Sequence, residues 1–179
     1  YYICYDNEAY GNTGMQLSAA TPYAARTATS PCSLQHPAAT AQEKKDIFEI
    51  WRAHQPPYIA TVAPRYPLDL EEKFARAAAF TGPKMFLALA ACPTGWLYDP
   101  GATPEVAKLA VETGLWPLKE AINGVVTHTY IPKRKPVEAY LRLQGRFRHL
   151  FEPTVQADAI RHIQERVDAY WKQVAEERA

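Results

Sequence analysis

The sequence predicts an α/β fold, a doubly wound and mostly parallel sheet, and three features carry that expectation. Segments with strand and helix character alternate over residues 1–91, the pattern of parallel strands joined by crossover helices. The run Met85-Phe86-Leu87-Ala88-Leu89-Ala90-Ala91 is apolar throughout instead of alternating, as expected of a strand covered on both faces. Two strands give way to loops of unusual chemistry, at Asp6 and at Cys92, and in such sheets ligands gather outside the carboxyl ends of the strands.

Taken in order, residues 1–5 are aromatic and β-branched and stop at Asp6-Asn7, whose side chains bond their own backbone and favour a turn. They read as the middle or end of a strand with no Met before it, so the fold is expected to be incomplete at its N-terminus. Residues 11–41 are rich in Gly, Pro, Ser and Thr with no sustained period, a long irregular segment of the kind that is usually functional. Ile47, Phe48, Ile50 and Trp51 predict a helix over 40–54 that ends before Pro56-Pro57. A strand at 58–63 follows. A second helix over 69–80 carries Leu70, Phe74 and Ala77 on one face and closes at Gly82-Pro83, ahead of the apolar strand at 84–91.

The later residues predict helices over 103–113, 137–147 and 154–177 and a strand at 125–130. The last helix puts Ile160, Ile163, Val167, Tyr170 and Val174 on one stripe. The expected organisation is therefore an α/β portion over 1–102 and a helical C-terminal extension over 103–179 that packs on it or on partner subunits.

Composition narrows the function classes. The chain has 179 residues, 47% of them hydrophobic, and a net charge of +1, a globular profile. The one dense basic run, Lys133-Arg134-Lys135, is too short to argue for nucleic acid. No apolar run reaches the ~20 residues that span a bilayer, and the start lacks a signal-peptide pattern, so a cytoplasmic chain without a membrane span is expected. Cys4, Cys32 and Cys92 are too few for a disulfide framework, and each alone reads as a small buried hydrophobe. The five histidines show no metal-ligand spacing and read as surface or packing residues.

The segment Asp6-Asn7-Glu8-Ala9-Tyr10-Gly11-Asn12-Thr13-Gly14-Met15-Gln16 gathers carboxylate, amide and hydroxyl groups around two glycines. Such oxygen donors suit Mg2+ bound to a phosphate, and glycine lets the backbone approach a diphosphate closely. By themselves these residues read more readily as a capped turn than as a cofactor site. Cys92-Pro93-Thr94-Gly95-Trp96 places a thiol after a buried strand; a thiolate suits iron-sulfur ligation, but a cluster needs about four such ligands.

In order and spacing, the first segment resembles the thiamine-diphosphate loop of the β subunits of 2-oxoacid:ferredoxin oxidoreductases of the pyruvate synthase type. The matching residues are Asp6-Asn7-Glu8, Tyr10, Asn12-Thr13-Gly14, Gln16, Ser18 and Ala20-Thr21-Pro22. The same family carries the Cys92-Pro93-Thr94-Gly95-Trp96 segment. Further matches run through Lys44-Lys45-Asp46, Pro57-Tyr58-Ile59-Ala60, Gly82-Pro83, Ala110-Val111-Glu112-Thr113-Gly114, Trp116-Pro117-Leu118 and Leu143-Gln144-Gly145-Arg146-Phe147.

The resemblance implies a thiamine-diphosphate-binding fold and a cofactor loop formed by Asp6, Asn7, Ala9, Tyr10, Asn12, Thr13, Gly14 and Gln16. Asn7 would give its side-chain oxygen and Ala9 its carbonyl to Mg2+, Thr13 and Gly14 would line the diphosphate, and Asn12 would act catalytically beside the thiazolium and the 2-oxoacid. Cys92 would ligate a 4Fe-4S cluster. Glu8 would order its own loop, since the glutamate that activates the cofactor belongs to a partner in this family. The remaining metal and cluster ligands of the family, in Gly-Asp-Gly and Cys-x-x-Cys motifs, are absent from this sequence.

The implied reaction converts a 2-oxoacid to acyl-CoA and CO2, with electrons leaving through the cluster to ferredoxin or another acceptor. Coenzyme A and α-, γ- and δ-type subunits are the implied partners. Pyruvate is the commonest substrate of the family, whereas Leu17, in place of an Arg common in pyruvate enzymes, suits an aryl 2-oxoacid such as phenylglyoxylate. Gly11 and Cys32 are also atypical. The rival readings are a non-oxidative thiamine-dependent decarboxylase, which has no use for Cys92, and an assembly scaffold without cofactor.

Overall fold

The computed structural model describes residues 1–178. Its strands are β1 (Tyr2–Asp6), β2 (Tyr58–Val62), β3 (Lys84–Leu89), β4 (Lys119–Ile122) and β5 (Val125–His128). The α-helices are α1 (Ile47–Ala53), α2 (Pro67–Ala78), α3 (Pro93–Trp96), α4 (Thr103–Glu112), α5 (Glu138–Leu141) and α6 (Ala157–Glu176), with 3-10 turns at Pro100–Ala102 and Gly145–Leu150. The strands form one sheet in the order β1-β3-β2-β4-β5. β1, β3 and β2 run parallel, as predicted, and β4 and β5 add an antiparallel hairpin at the β2 side.

Both faces of the sheet are covered. Ala77 of α2 packs with Tyr58, Ala60, Val62, Phe86 and Ala88, flanked by Leu70 and Phe74, so the predicted α2 face is the packed one. The opposite face holds the larger core, where Leu87 and Leu89 meet Val106 and Leu109 of α4 and Ile160, Ile163, Val167 and Trp171 of α6. The α6 stripe read from the sequence forms this seam, with Tyr170 at its margin. Because β3 is flanked by β1 and β2 and covered above and below, four of its six residues are buried, which accounts for its unbroken apolar run.

Several boundaries differ from expectation. The helix predicted over 40–54 begins only at Ile47, because Asp46 caps it by accepting from Glu49 N at 3.0 Å. Residues 41–46 form a loop instead, and Ile50 of the predicted apolar face is 44% exposed. The helix predicted over 137–147 shrinks to α5, and Gly145 opens a 3-10 turn. The predicted strand at 125–130 is one arm of a hairpin whose other arm, β4, the sequence reading missed. Its turn is Asn123-Gly124, both at positive φ (49° and 83°), the combination a tight two-residue hairpin requires.

Two single residues stand out. Lys73 shares the packed face of α2 and is fully buried, donating to Thr61 O at 2.9 Å and to Asp69 at 2.7 Å. Cys32 is exposed rather than a buried hydrophobe, on the Ser- and Pro-rich loop. Among the described residues no helix is long and apolar enough to cross a membrane.

Candidate functional site

Parallel pairing of β1 with β3 brings Asp6 opposite Leu89, so the chains leaving the two strands emerge side by side. Ala90 N donates to Asp6 O at 3.0 Å, which extends the pairing one step past the strands. From there the first chain forms the 6–16 loop and the second turns at Cys92 into α3. The two are tied directly, since the indole Nε1 of the buried Trp96 donates to Asn7 O at 2.9 Å. Asn7 and Cys92 therefore share one rim of the sheet.

The 6–16 loop folds on itself. Asn7 Oδ1 accepts from Ala9 N at 3.3 Å, and Tyr10 and Gln16 exchange backbone hydrogen bonds of 3.0 and 3.3 Å. At the tip, Gln16 takes the Thr13 hydroxyl and returns its amide to Thr13 O, each at 2.6 Å. Tyr10, Asn12, Thr13 and Gly14 face solvent there, while Asn7 and Ala9 are half-buried. A Cβ on Gly11 would stand 2.6 Å from Asn7 Nδ2, so the space beside residue 11 is what the Asn7 amide fills.

Asp6 and Glu8 point the other way, into the protein. Lys44 Nζ lies 2.7 Å from both Asp6 Oδ2 and Glu8 Oε1, Arg146 lies 2.6 Å from Glu8 Oε2, and Glu8 N donates to Asp6 Oδ1 at 2.9 Å. Glu8 holds a left-handed backbone (φ 62°), a conformation that persists for a non-glycine residue only when its surroundings enforce it; here the two ion pairs do so. Burial pushes the Glu8 carboxyl upward, but Lys44 and then Arg146 outweigh it and leave the group below the usual carboxylate range. Burial likewise opposes the charge on Lys44, and Glu8 and Asp6 together raise it above the ordinary lysine value.

Cys92 is half-buried and caps α3, its Sγ accepting from Gly95 N at 3.4 Å. The cysteine turn interlocks with the first loop at Gly95, where an added Cβ would lie 2.0 Å from Met15 Cε and 2.4 Å from its Sδ. Only a residue without a side chain lets Met15 seat there.

The oxygen atoms along the first loop include the Asn7 amide oxygen, the Ala9 carbonyl and the Thr13 hydroxyl. These are hard oxygen ligands of the kind Mg2+ accepts alongside phosphate and water, so the loop fits part of a Mg2+-diphosphate site. One thiol likewise fits one corner of a cluster. Among the described residues no group of three or more His, Cys, Asp and Glu side chains could hold a metal ion by itself. Sequence reasoning recognised Lys44, Trp96 and Arg146 only as matched positions, not as the charge and stacking partners of the loop. Their separation in the chain left no local pattern to read.

No family model matches the chain. Among curated proteins, it is 47% identical over 156 residues to the pyruvate synthase subunit PorB of Methanocaldococcus jannaschii, covering 87% of this chain and 52% of that one. It is 45% identical over 167 residues to PorB of Methanosarcina barkeri, covering 91% and 55%. It is 42% identical over 159 residues to the ketoisovalerate oxidoreductase subunit VorB of Pyrococcus horikoshii, covering 87% and 51%. The chain belongs to the family of these subunits. It spans about half the length of the curated relatives it matches. Among solved structures, a 2-oxoglutarate:ferredoxin oxidoreductase from Magnetococcus marinus aligns with a TM-score of 0.41 at 18% identity, covering 60% of this chain and 42% of that one, too slight a likeness to build on.

Proposed function

We propose that the chain forms part of the thiamine-diphosphate-binding subunit of a cytoplasmic 2-oxoacid:ferredoxin oxidoreductase that works with α-, γ- and δ-type subunits. The reaction is oxidative decarboxylation: CO2 leaves the 2-oxoacid, coenzyme A takes the acyl group, and electrons pass singly through a 4Fe-4S cluster to ferredoxin or another acceptor. Thiamine diphosphate, when bound, supplies the electron sink for decarboxylation. In this reading the Asn7 amide oxygen and the Ala9 carbonyl hold Mg2+, and Tyr10, Thr13, Gly14 and Gln16 border the diphosphate. Asp6 anchors the loop from beneath. Asn12 is the catalytic residue, hydrogen-bonding the 2-oxoacid through its amide. Cys92 ligates the cluster, whose remaining ligands come from outside this sequence. Residues 1–102 carry these groups, and the extension over 103–179 serves to pack on them or on partner subunits.

One observation supports the reading above all: the hard-oxygen loop and the soft thiol follow adjacent parallel strands and are tied by the 2.9 Å bond from Trp96 Nε1 to Asn7 O. Electron exit needs such proximity. The names of the relatives support a 2-oxoacid substrate, with pyruvate in first place.

The test is to purify the whole complex, measure its thiamine diphosphate and iron, and follow ferredoxin reduction with pyruvate, 2-ketoisovalerate and phenylglyoxylate in the presence of coenzyme A. Acyl-CoA formation coupled to ferredoxin reduction is expected, fastest with pyruvate. Faster turnover of phenylglyoxylate would instead assign weight to Leu17. Decarboxylation without iron would favour the non-oxidative enzyme, and material lacking thiamine diphosphate would favour the scaffold.

A further inference from the structure

We propose that Arg146 is a positioning residue that sets the spacing between the 6–16 loop and the Cys92 turn, and so governs electron exit between what the two hold. The inference rests on the functional reading above.

Arg146 is far along the chain from both loops, yet its side chain is packed between them and only 3% exposed. Its Cζ lies 3.9 Å from the centroid of the Trp96 ring, while its Nη2 lies 2.6 Å from Glu8 Oε2. Its Nε donates to Gln144 Oε1 at 2.8 Å and Nη2 to the Tyr140 hydroxyl at 3.4 Å. Trp96 in turn donates to Asn7 O at 2.9 Å. Asn7, Trp96, Arg146 and Glu8 thus close a ring of contacts that joins the residue proposed for Mg2+ to the turn that carries Cys92.

Two further bonds fix the arginine in place. Gly145 N donates to Leu97 O at 2.9 Å, and Arg146 O accepts from Arg26 N at 2.9 Å. Only arginine can present a flat face to the indole and a fork of N–H donors to a carboxylate at once; lysine keeps the charge but loses the face and the fork. Replacement by lysine should therefore move the loops relative to each other without leaving Glu8 unpaired, since Lys44 remains beside it.

The experiment compares wild type, Arg146→Lys and Trp96→Phe in the purified complex, reading iron and thiamine-diphosphate content, the EPR spectrum of the reduced clusters, and kcat and KM for the 2-oxoacid. Both variants should keep their cofactors and KM, change the EPR signal of one cluster, and lose roughly tenfold to a hundredfold in kcat, the range for residues that orient ligands from behind. Retained spectra and kcat in both variants would overturn the proposal while the functional reading stands. Wild type lacking iron or thiamine diphosphate would overturn both. Should Arg146→Lys fail to assemble, Trp96→Phe alone decides: it keeps an aromatic face and removes the donor to Asn7 O, and an unaltered spectrum and kcat would end the proposal.

Discussion

Lys44 shows how much of this site depends on one side chain whose role no motif announces. It neutralises Asp6 and Glu8, whose side chains are 2% and 7% exposed, and removing one partner of a buried pair leaves the others charged in a poor solvent. Lys44→Met should destabilise the protein by about 3 kcal/mol, the lower end of the range for such losses, because Arg146 still serves Glu8 and Lys44 is itself partly exposed. A denaturant midpoint equal to that of the wild type would contradict this. At Gly95 the issue is space. Gly95→Ala should cost about 1 kcal/mol, since the clashing atoms are the movable end of Met15. Met15→Ala in the same chain should abolish the added penalty, as a double-mutant cycle would measure.

The 6–16 segment stood out as a candidate because it packs its polar groups into one short stretch, whereas the partners that hold it lie 36 and 138 positions beyond Glu8. Long-range pairing leaves no periodic trace in a sequence. Lys73 is different: it lies three residues after Leu70 and four before Ala77 on the Leu70, Phe74, Ala77 stripe, so a charged residue on an apolar face was visible and its burial could have been inferred.

Among the elements, those with a strong pattern were legible and those set by tertiary contact were not. The apolar run of β3 and the stripe of α6 follow from their sequences, because both are covered by neighbours along their length. The helix expected over 40–54 stops short at Asp46 because its would-be first turns are recruited elsewhere: Lys44 reaches Glu8, and Lys45 N donates to Ala19 O at 2.7 Å. The β4–β5 hairpin was missed although Asn123-Gly124 signals it, since β4 contains Lys119 and Glu120, which are unusual in a strand. Both are buried, Glu120 by accepting from the Tyr58 hydroxyl at 2.5 Å and from Arg76 at 3.1 Å. Gly124→Val forces a β-branched residue into φ 83°, a penalty of about 1–2 kcal/mol. The expected drop in Tm is several degrees, roughly 2–4 °C for each kcal/mol in a chain of this size. An unchanged Tm would mean that the turn geometry contributes nothing.

For the whole molecule, the buried ionisable groups define a pH range. The Glu8 carboxyl is depressed below 4.5, so its contribution is complete above that value and is lost as pH falls through its folded value. His128 is held neutral by burial first and by Lys119 next, which push it down to about 4; its contribution is present above 6.5 and declines between 6.5 and about 4. Lys44 is raised above 10.5, so its contribution holds below that value and is lost as pH rises through its folded value. Stability should therefore fall as pH drops below 6.5 and as it rises past 10.5, an alkaline loss that Lys73, whose pKa burial pushes down, works against. Urea unfolding across this range checks it, and His128→Gln should make the decline below pH 6.5 shallower, leaving the part carried by His149, which burial also pushes down.

The central claim at this scale is that one rim of a parallel sheet carries both a hard-oxygen loop and a cluster ligand. Iron content and the EPR spectrum of the reduced, purified complex test it most directly when Cys92→Ser is compared with wild type. Loss of one cluster's iron and signal with thiamine diphosphate still bound is the predicted result. Full iron and an unchanged spectrum would remove Cys92 from the cluster and contradict the account.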